Sequence, residues 1–405
     1  MRELSAVASN RENVPVTEIN SPDRPPANVG RFAYIDSLRA IAAILVLWTH
    51  VSESFLSVGP STQQSRWVYE WAHGIDVGRI GVVAFFAISG FVVPFSIRIG
   101  HPYAVREFLL KRFLRLYPAY WLSMLLGLVA IFWIWGRQFA WSNVLVNLTI
   151  LESVFNVPAV IGLYWTLAVE FVFYLCCVAL VLTGSIANYR RIGVLVVALM
   201  AIHVGIIALR QFASFHVDYT KALWPMHIAI MLWGTVYRAS IDGTRMDAIA
   251  RTCLWGALCF MLVVYPVLFT RMFGFPLKFT LPYSLGILLF VLGTTVLRMT
   301  FKPLPWLGKI SYSLYLFHPI VFVLLWWVLV RVPATSWLRT QHLGSYVVVV
   351  ALATVLLAAL VYRFVEAPSI ALGQRLTRRW FREEPRSATA VQASSVAART
   401  QATQP

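Results

Sequence analysis

Ten mostly apolar stretches recur along the chain, near residues 36–56, 79–99, 113–135, 160–183, 192–210, 222–240, 248–270, 281–297, 312–331 and 344–365. Each is about as long as a helix needs to be to cross a hydrocarbon core of roughly 30 Å. Lipid offers no hydrogen bonds, so the backbone of each stretch must satisfy itself, which predicts helices. A further apolar stretch, 140–155, is too short to span and reads as a re-entrant or surface helix. The polar ends carry no such pattern. Residues 1–33, with Pro15, Pro22, Pro25 and Pro26, are expected to be a disordered cytoplasmic arm, and the Ser/Ala/Thr/Gln-rich 383–405 a disordered tail. The membrane domain is expected over 34–382.

Composition agrees with the pattern. Of 405 residues, 59% are hydrophobic and 13% charged, against about 25% charged in soluble domains. The fold class predicted is all-α, a polytopic membrane bundle of about ten helices. The net charge of +17 would suggest nucleic acid in a soluble chain. Here the cations fall between apolar runs and concentrate in alternate connections, among them Arg98, Arg106, Lys111, Arg112 and Arg115, then Arg190 and Arg191. The positive-inside rule then places both termini in the cytoplasm and makes the bilayer, not nucleic acid, the partner. Cys176, Cys177, Cys253 and Cys259 lie within apolar runs without zinc-ligand spacing, so no metal is expected. No internal repeat of the kind found in transporters is visible.

Ionisable groups at membrane depth are costly, so they mark candidate function. Arg39 and His50 are eleven residues apart in the first stretch. At about 100° per residue they share a face to within about 20°, with a rise of about 16 Å. Asp36 is three residues from Arg39 and Glu53 three from His50, so each pair can meet. The alternative for this stripe is structural: interfacial snorkelling and a helix–helix hydrogen bond. The second stretch holds Phe85-Phe86-Ala87-Ile88-Ser89-Gly90-Phe91, whose small residues serve close packing or leave room for a slender ligand. Lys111, Arg112 and Arg115 lie in the connection into the third span; Arg112 and Arg115 share a face, suited to phosphate oxygens or, equally, to topology and lipid headgroups. Glu170 lies in mid-span and must be either neutral or paired with another helix, with Arg39 and His50 as candidate partners. Ser311, Tyr315 and His318 fall at i, i+4 and i+7 on one face, which points into the bundle or a wet cavity, and His318 before Pro319 could equally serve structure at a kink. His73, His101, His203, His216, His227 and His342 receive no role.

Taken in order, these segments resemble the acyltransferase 3 family of membrane O-acyltransferases over roughly residues 32–370. The likeness rests on the Arg39-to-His50 spacing, the 85–91 run, and Arg112-x-x-Arg115 with Tyr117-Pro118. Trp165-Thr-Leu with Glu170 and Phe173-Tyr174, Ser311-Tyr-Ser-x-Tyr-Leu-x-His318-Pro, and the closing Glu366-Ala-Pro368 complete it. Val83 stands where many relatives have a polar residue, and Phe171 where some have a second acid. The resemblance implies a bacterial inner-membrane enzyme with no bound cofactor. Its donor would be acyl-CoA, acetyl-CoA or longer. Its acceptor would be a surface polysaccharide, lipopolysaccharide sugar, peptidoglycan or glycoside hydroxyl. His50 would be the catalytic imidazole, as general base or acyl carrier. Arg39 would hold the donor or polarise the site, Glu170 would be the essential buried acid, and Lys111, Arg112 and Arg115 would grip CoA phosphates. Glu53, Tyr174, Ser311, Tyr315 and His318 are further candidates. The competing expectation is a transporter or flippase of a sugar or lipid-linked precursor.

Overall fold

A computed structural model describes residues 32–56, 70, 74–136, 138–213, 216–333 and 335–381. The disordered arm and tail expected from sequence lie outside these residues, except that Ala33 already opens the first helix. Among the described residues there is no strand. Ten long helices follow in order: α1 Ala33–Leu56, α2 Val77–Val92, α3 Ala104–Ile134, α4 Trp165–Leu182, α5 Tyr189–Phe212, α6 Trp224–Ile241, α7 Ala248–Arg271, α8 Leu277–Thr295, α9 Ser311–Leu329 and α10 Leu343–Trp380.

Nine of these, among the described residues, are long and apolar enough to cross a bilayer by themselves. The exception is α6, the stretch expected over 222–240. It carries His227, Tyr237 and Arg238, and almost every residue from Met226 to Ala239 is buried. A helix enclosed by protein rather than lipid needs no apolar coat, so its weaker hydropathy follows from its central place.

α2 packs against α1, α6 and α8. Two glycines bring α2 and α6 to backbone contact: a Cβ on Gly90 would collide with the Met231 carbonyl, and one on Gly234 would lie 2.6 Å from the Ala87 carbonyl oxygen. In lipid, where burying apolar surface gives little drive, such approach supplies the attraction. Gly90→Ala is therefore expected to lower stability by about 1–3 kcal/mol or more, because neither backbone can yield locally. Thermal melting of the purified protein in detergent measures this; an unchanged midpoint would mean the two helices are not held at this distance.

Two helices run longer than expected. α3 begins at Ala104, not near 113, so Lys111, Arg112 and Arg115 sit on a helix rather than in a connection. The reason lies in the tenth helix. After Val361 it makes a π turn, Tyr362–Glu366, and continues as Ala367–Trp380, which packs along the first half of α3 with Gly373 against Leu114. The stretch 140–155 forms a short helix, Trp141–Asn147, followed by irregular chain. Glu152 there is fully buried, and burial pushes its carboxyl up to about 7. Near neutrality a large share is protonated, which lessens the cost of enclosing it.

Three apolar clusters make up the interior. One joins α2 to α4–α8, one joins α1 to α9 and α10, and one joins α3 to α9 and the start of α4. Polar residues gather where the three meet.

Candidate active site

A cavity of about 100 Å³ lies at that meeting point, lined from α1, α2, α3, α4 and α9. Its polar walls are Arg39, Ser89, Arg112, Arg115, Thr166, Glu170, Tyr174, Ser311 and Tyr315; Phe85 and Phe86 close one side. Five helices thus bring together residues that the sequence scatters over more than two hundred positions.

Glu170 accepts hydrogen bonds from Tyr174 Oη at 2.7 Å and Ser89 Oγ at 3.4 Å. Its field reaches both Arg39 and Arg115. The partner expected on another helix is therefore Ser89 together with these cations, and not His50. Arg39 pairs with Asp36 at 3.3 Å, as the i,i+3 spacing allows. Arg112 donates to Ser96 Oγ at 2.6 Å while its guanidinium lies over the rings of Phe108 and Tyr174, 5.3 and 5.5 Å from their centroids. Arg115 faces Glu366 at 3.6 Å, and Ser313 Oγ donates to the other Glu366 oxygen at 2.7 Å. Glu366 belongs to the π turn of α10, a distortion that often marks functional sites. The sequence pattern contained it, in Glu366-Ala-Pro368, but gave no sign of its partner.

Two candidates stand apart from the cavity. Lys111 does not line the cavity; it and Arg98 both bond Glu107, whose carboxylate is buried. The i,i+4 spacing of Glu107 and Lys111 outcompetes a turn toward the cavity. Glu53 is exposed, and the carboxylate whose field reaches His50 is Asp76. Asp76 caps α2, accepting from the Arg79 amide at 2.9 Å and from Arg79 Nε at 3.0 Å. Its position three residues before Arg79, at the head of an apolar run, was a readable N-cap signal.

His50 is half-buried and stacks on His318 of α9, with ring centroids 5.6 Å apart and planes 24° from parallel. Neither imidazole lines the cavity. Tyr315 stands between: its hydroxyl meets Thr166 Oγ1 at 2.7 Å, and its ring is edge-on to His318 at 6.0 Å. Hence the α9 stripe does face the interior, with Ser311 and Tyr315 on the cavity and His318 beyond it. His318 is fully buried, and its Nε2 has no hydrogen-bond partner among the described residues. Polar groups thus follow one another from the arginines of α3, past Glu170 and Tyr315 on the cavity wall, toward a pair of imidazoles beyond it. Behind Phe86, His227 bonds Tyr283 Oη at 2.9 Å within an aromatic shell; it supports the wall without entering the cavity.

The family model described as an acyltransferase domain matches residues 32–363. The chain belongs to the acyltransferase 3 family. Among relatives of this acyltransferase is BcsY of Komagataeibacter xylinus, described as a putative membrane-bound transacylase. It is 25% identical over 308 residues, covering 70% of this chain and 71% of BcsY. The acyltransferase MdmB of Streptomyces mycarofaciens is 27% identical over 158 residues, 37% of this chain and 39% of MdmB. The peptidoglycan O-acetyltransferase OatA of Listeria monocytogenes is 24% identical over 384 residues, which cover 82% of this chain and 55% of OatA. No solved structure matches. The protein is a multi-pass membrane acyltransferase, and the family sets aside the transporter reading.

Proposed function

We propose that the enzyme transfers an acyl group, acetyl or longer, from cytoplasmic acyl-CoA to a hydroxyl of a glycan or glycoside acceptor at the other side of the inner membrane. Polysaccharide, lipopolysaccharide sugar and peptidoglycan are the acceptor classes. The observation that carries this reading is the cavity joining Arg39, Arg112 and Arg115 with Glu170 and leading toward His318 and His50. The basic end faces the cytoplasm, where the positive-inside rule puts it.

The dimensions suit the donor. Between its diphosphate and its sulfur, CoA has roughly twelve chain atoms, as many as four residues, hence about 14 Å when extended. The rise from Arg39 to His50 is about 16 Å. With its phosphates on Arg112, Arg115 and Arg39, the arm threads past Glu170 and Tyr315 and presents the thioester near the imidazoles. The same distance keeps Arg39 from the thioester. Arg39 therefore grips the donor and does not polarise the reacting carbonyl. Glu170, with Tyr174 and Ser89, balances the guanidinium charges and fixes their spacing. Ser311 and Tyr315 line the path.

His50 acts as general base. It takes the proton of the acceptor hydroxyl as the oxygen attacks the thioester carbon. The tetrahedral intermediate collapses with cleavage of the carbon–sulfur bond, and the imidazolium returns the proton to the thiolate, giving ester and CoA. His318, stacked on His50, holds the ring in place, and the carboxylate of Asp76, whose field reaches it, stabilises the imidazolium formed in the step.

The test is binding. CoA or acetyl-CoA is expected to raise the melting temperature of the purified protein, and free sugars are not, because only the donor engages the arginines. No shift at millimolar CoA would sink the donor assignment.

A further inference from the structure

A second basic concavity opens beside the first. It has about 810 Å³ and is lined by Arg98, Ile99, Gly100, His101, Thr377, Arg378 and Phe381. Two segments form it: the turn between α2 and α3, and the last turn of α10. Gly100, at φ +86°, lets the turn reverse so that Arg98 and His101 fall on the same rim. The end of α10 is held there by its packing on α3 and by the Phe381 ring against Tyr103, 5.5 Å between centroids.

The concavity is connected to the cavity through α3. Arg98 reaches Glu107 at 2.7 Å, and Glu107 lies five and eight residues before Arg112 and Arg115. Eight residues of helix are about 12 Å. Arg98 and Lys111 together outweigh the single charge of Glu107, and Arg378 adds another cation, exposed at the rim. A cationic hollow with an aromatic edge, one to two turns outward from the phosphate-gripping arginines, matches the part of CoA that lies beyond its diphosphate.

We propose that this concavity is the adenosine 3′-phosphate subsite for the donor: Arg98 and Arg378 hold the 3′-phosphomonoester, and Phe381 borders the adenine. The inference rests on the acyl-CoA reading above. It predicts that the enzyme distinguishes CoA from 3′-dephospho-CoA, and that the distinction resides in residues remote from the reacting atoms.

The experiment measures the affinities of CoA, 3′-dephospho-CoA and adenosine 3′,5′-bisphosphate by calorimetry. It uses the full-length protein in nanodiscs of neutral lipid and again with anionic lipid. In the wild type, CoA is expected to bind roughly tenfold or more tightly than 3′-dephospho-CoA, the worth of a charge-assisted hydrogen bond or more. Arg378→Ala is expected to abolish that preference by weakening CoA alone, and to end competition by the bisphosphate. Because Arg378 is exposed, the variant should fold, and its affinity for 3′-dephospho-CoA verifies this. Equal wild-type affinities for the two donors overturn the subsite while leaving the donor assignment standing. So does an Arg378→Ala weakening shared equally by both. If Arg378→Ala leaves the CoA preference intact and alters only the response to anionic lipid, the concavity holds headgroup phosphate and the proposal fails. Absence of binding by any CoA form sinks the donor assignment itself, a result distinct from the others.

Discussion

Replacing His50 by alanine is expected to lower acyl transfer about 10²–10⁴-fold, the usual contribution of a positioned general base, while the protein remains inserted and folded. The ring is only half-buried, and it stacks on His318 rather than joining a network that holds several helices. Donor binding should persist, because Arg39 lies about 16 Å away along α1 and Arg112 and Arg115 line the cavity from α3, whereas His50 does not line it. The measurement is turnover of acetyl-CoA alongside the CoA-induced rise in melting temperature. Near-normal turnover with a normal melting curve would remove His50 from the chemistry. A variant without turnover or donor response would point to misfolding, which the melting midpoint without ligand detects. His318→Asn should cost less, since an amide keeps a polar group beside His50 but cannot stack or carry charge as an imidazole does.

The second large effect concerns donor affinity. Arg112→Ala combined with Arg115→Ala should raise the donor KM about 10²–10⁴-fold, taking about 1.5–3 kcal/mol for each charge-assisted hydrogen bond to phosphate that the substitutions remove. The rate at saturating donor should change far less, because neither side chain reaches the thioester in the scheme above. One complication is structural. Arg115 faces Glu366, which is buried, and an unpaired buried carboxylate is destabilising. Adding Glu366→Gln removes that charge and still leaves Ser313 a partner. The triple variant is therefore expected to regain stability without regaining donor affinity. Steady-state kinetics and melting midpoints separate the two; a donor KM unchanged in a folded variant would exclude a phosphate clamp at these positions.

Much of this was legible from local pattern. Length and hydropathy give nine of the ten helices directly, because the bilayer sets both, and α6 appears as a weaker stretch of similar length. A shared helix face is likewise local: the 3.6-residue period aligns Ser311, Tyr315 and His318, and the two former line the cavity together. The same period misleads when it is asked for partners. Glu53 lies one turn from His50 and could meet it, yet Asp76, from the head of another helix, supplies the field. Lys111 lies among arginines and could join them, yet Glu107 one turn earlier claims it.

What the sequence by itself determined, then, is how many helices there are, the least length each must have, and which face of each carries its polar groups. Those properties follow from backbone geometry and from the cost of polarity in lipid, both of which act within a single segment. The tertiary structure alone decided which faces meet. It stacked His50 on His318, set Arg115 against Glu366, and buried α6 so deeply that its polar residues need no lipid-compatible coat. The physical reason is that helix pairing in a bilayer depends on backbone approach at a few small residues, such as Gly90 and Gly234. The partner that each small residue admits lies far along the chain, where no local period reaches.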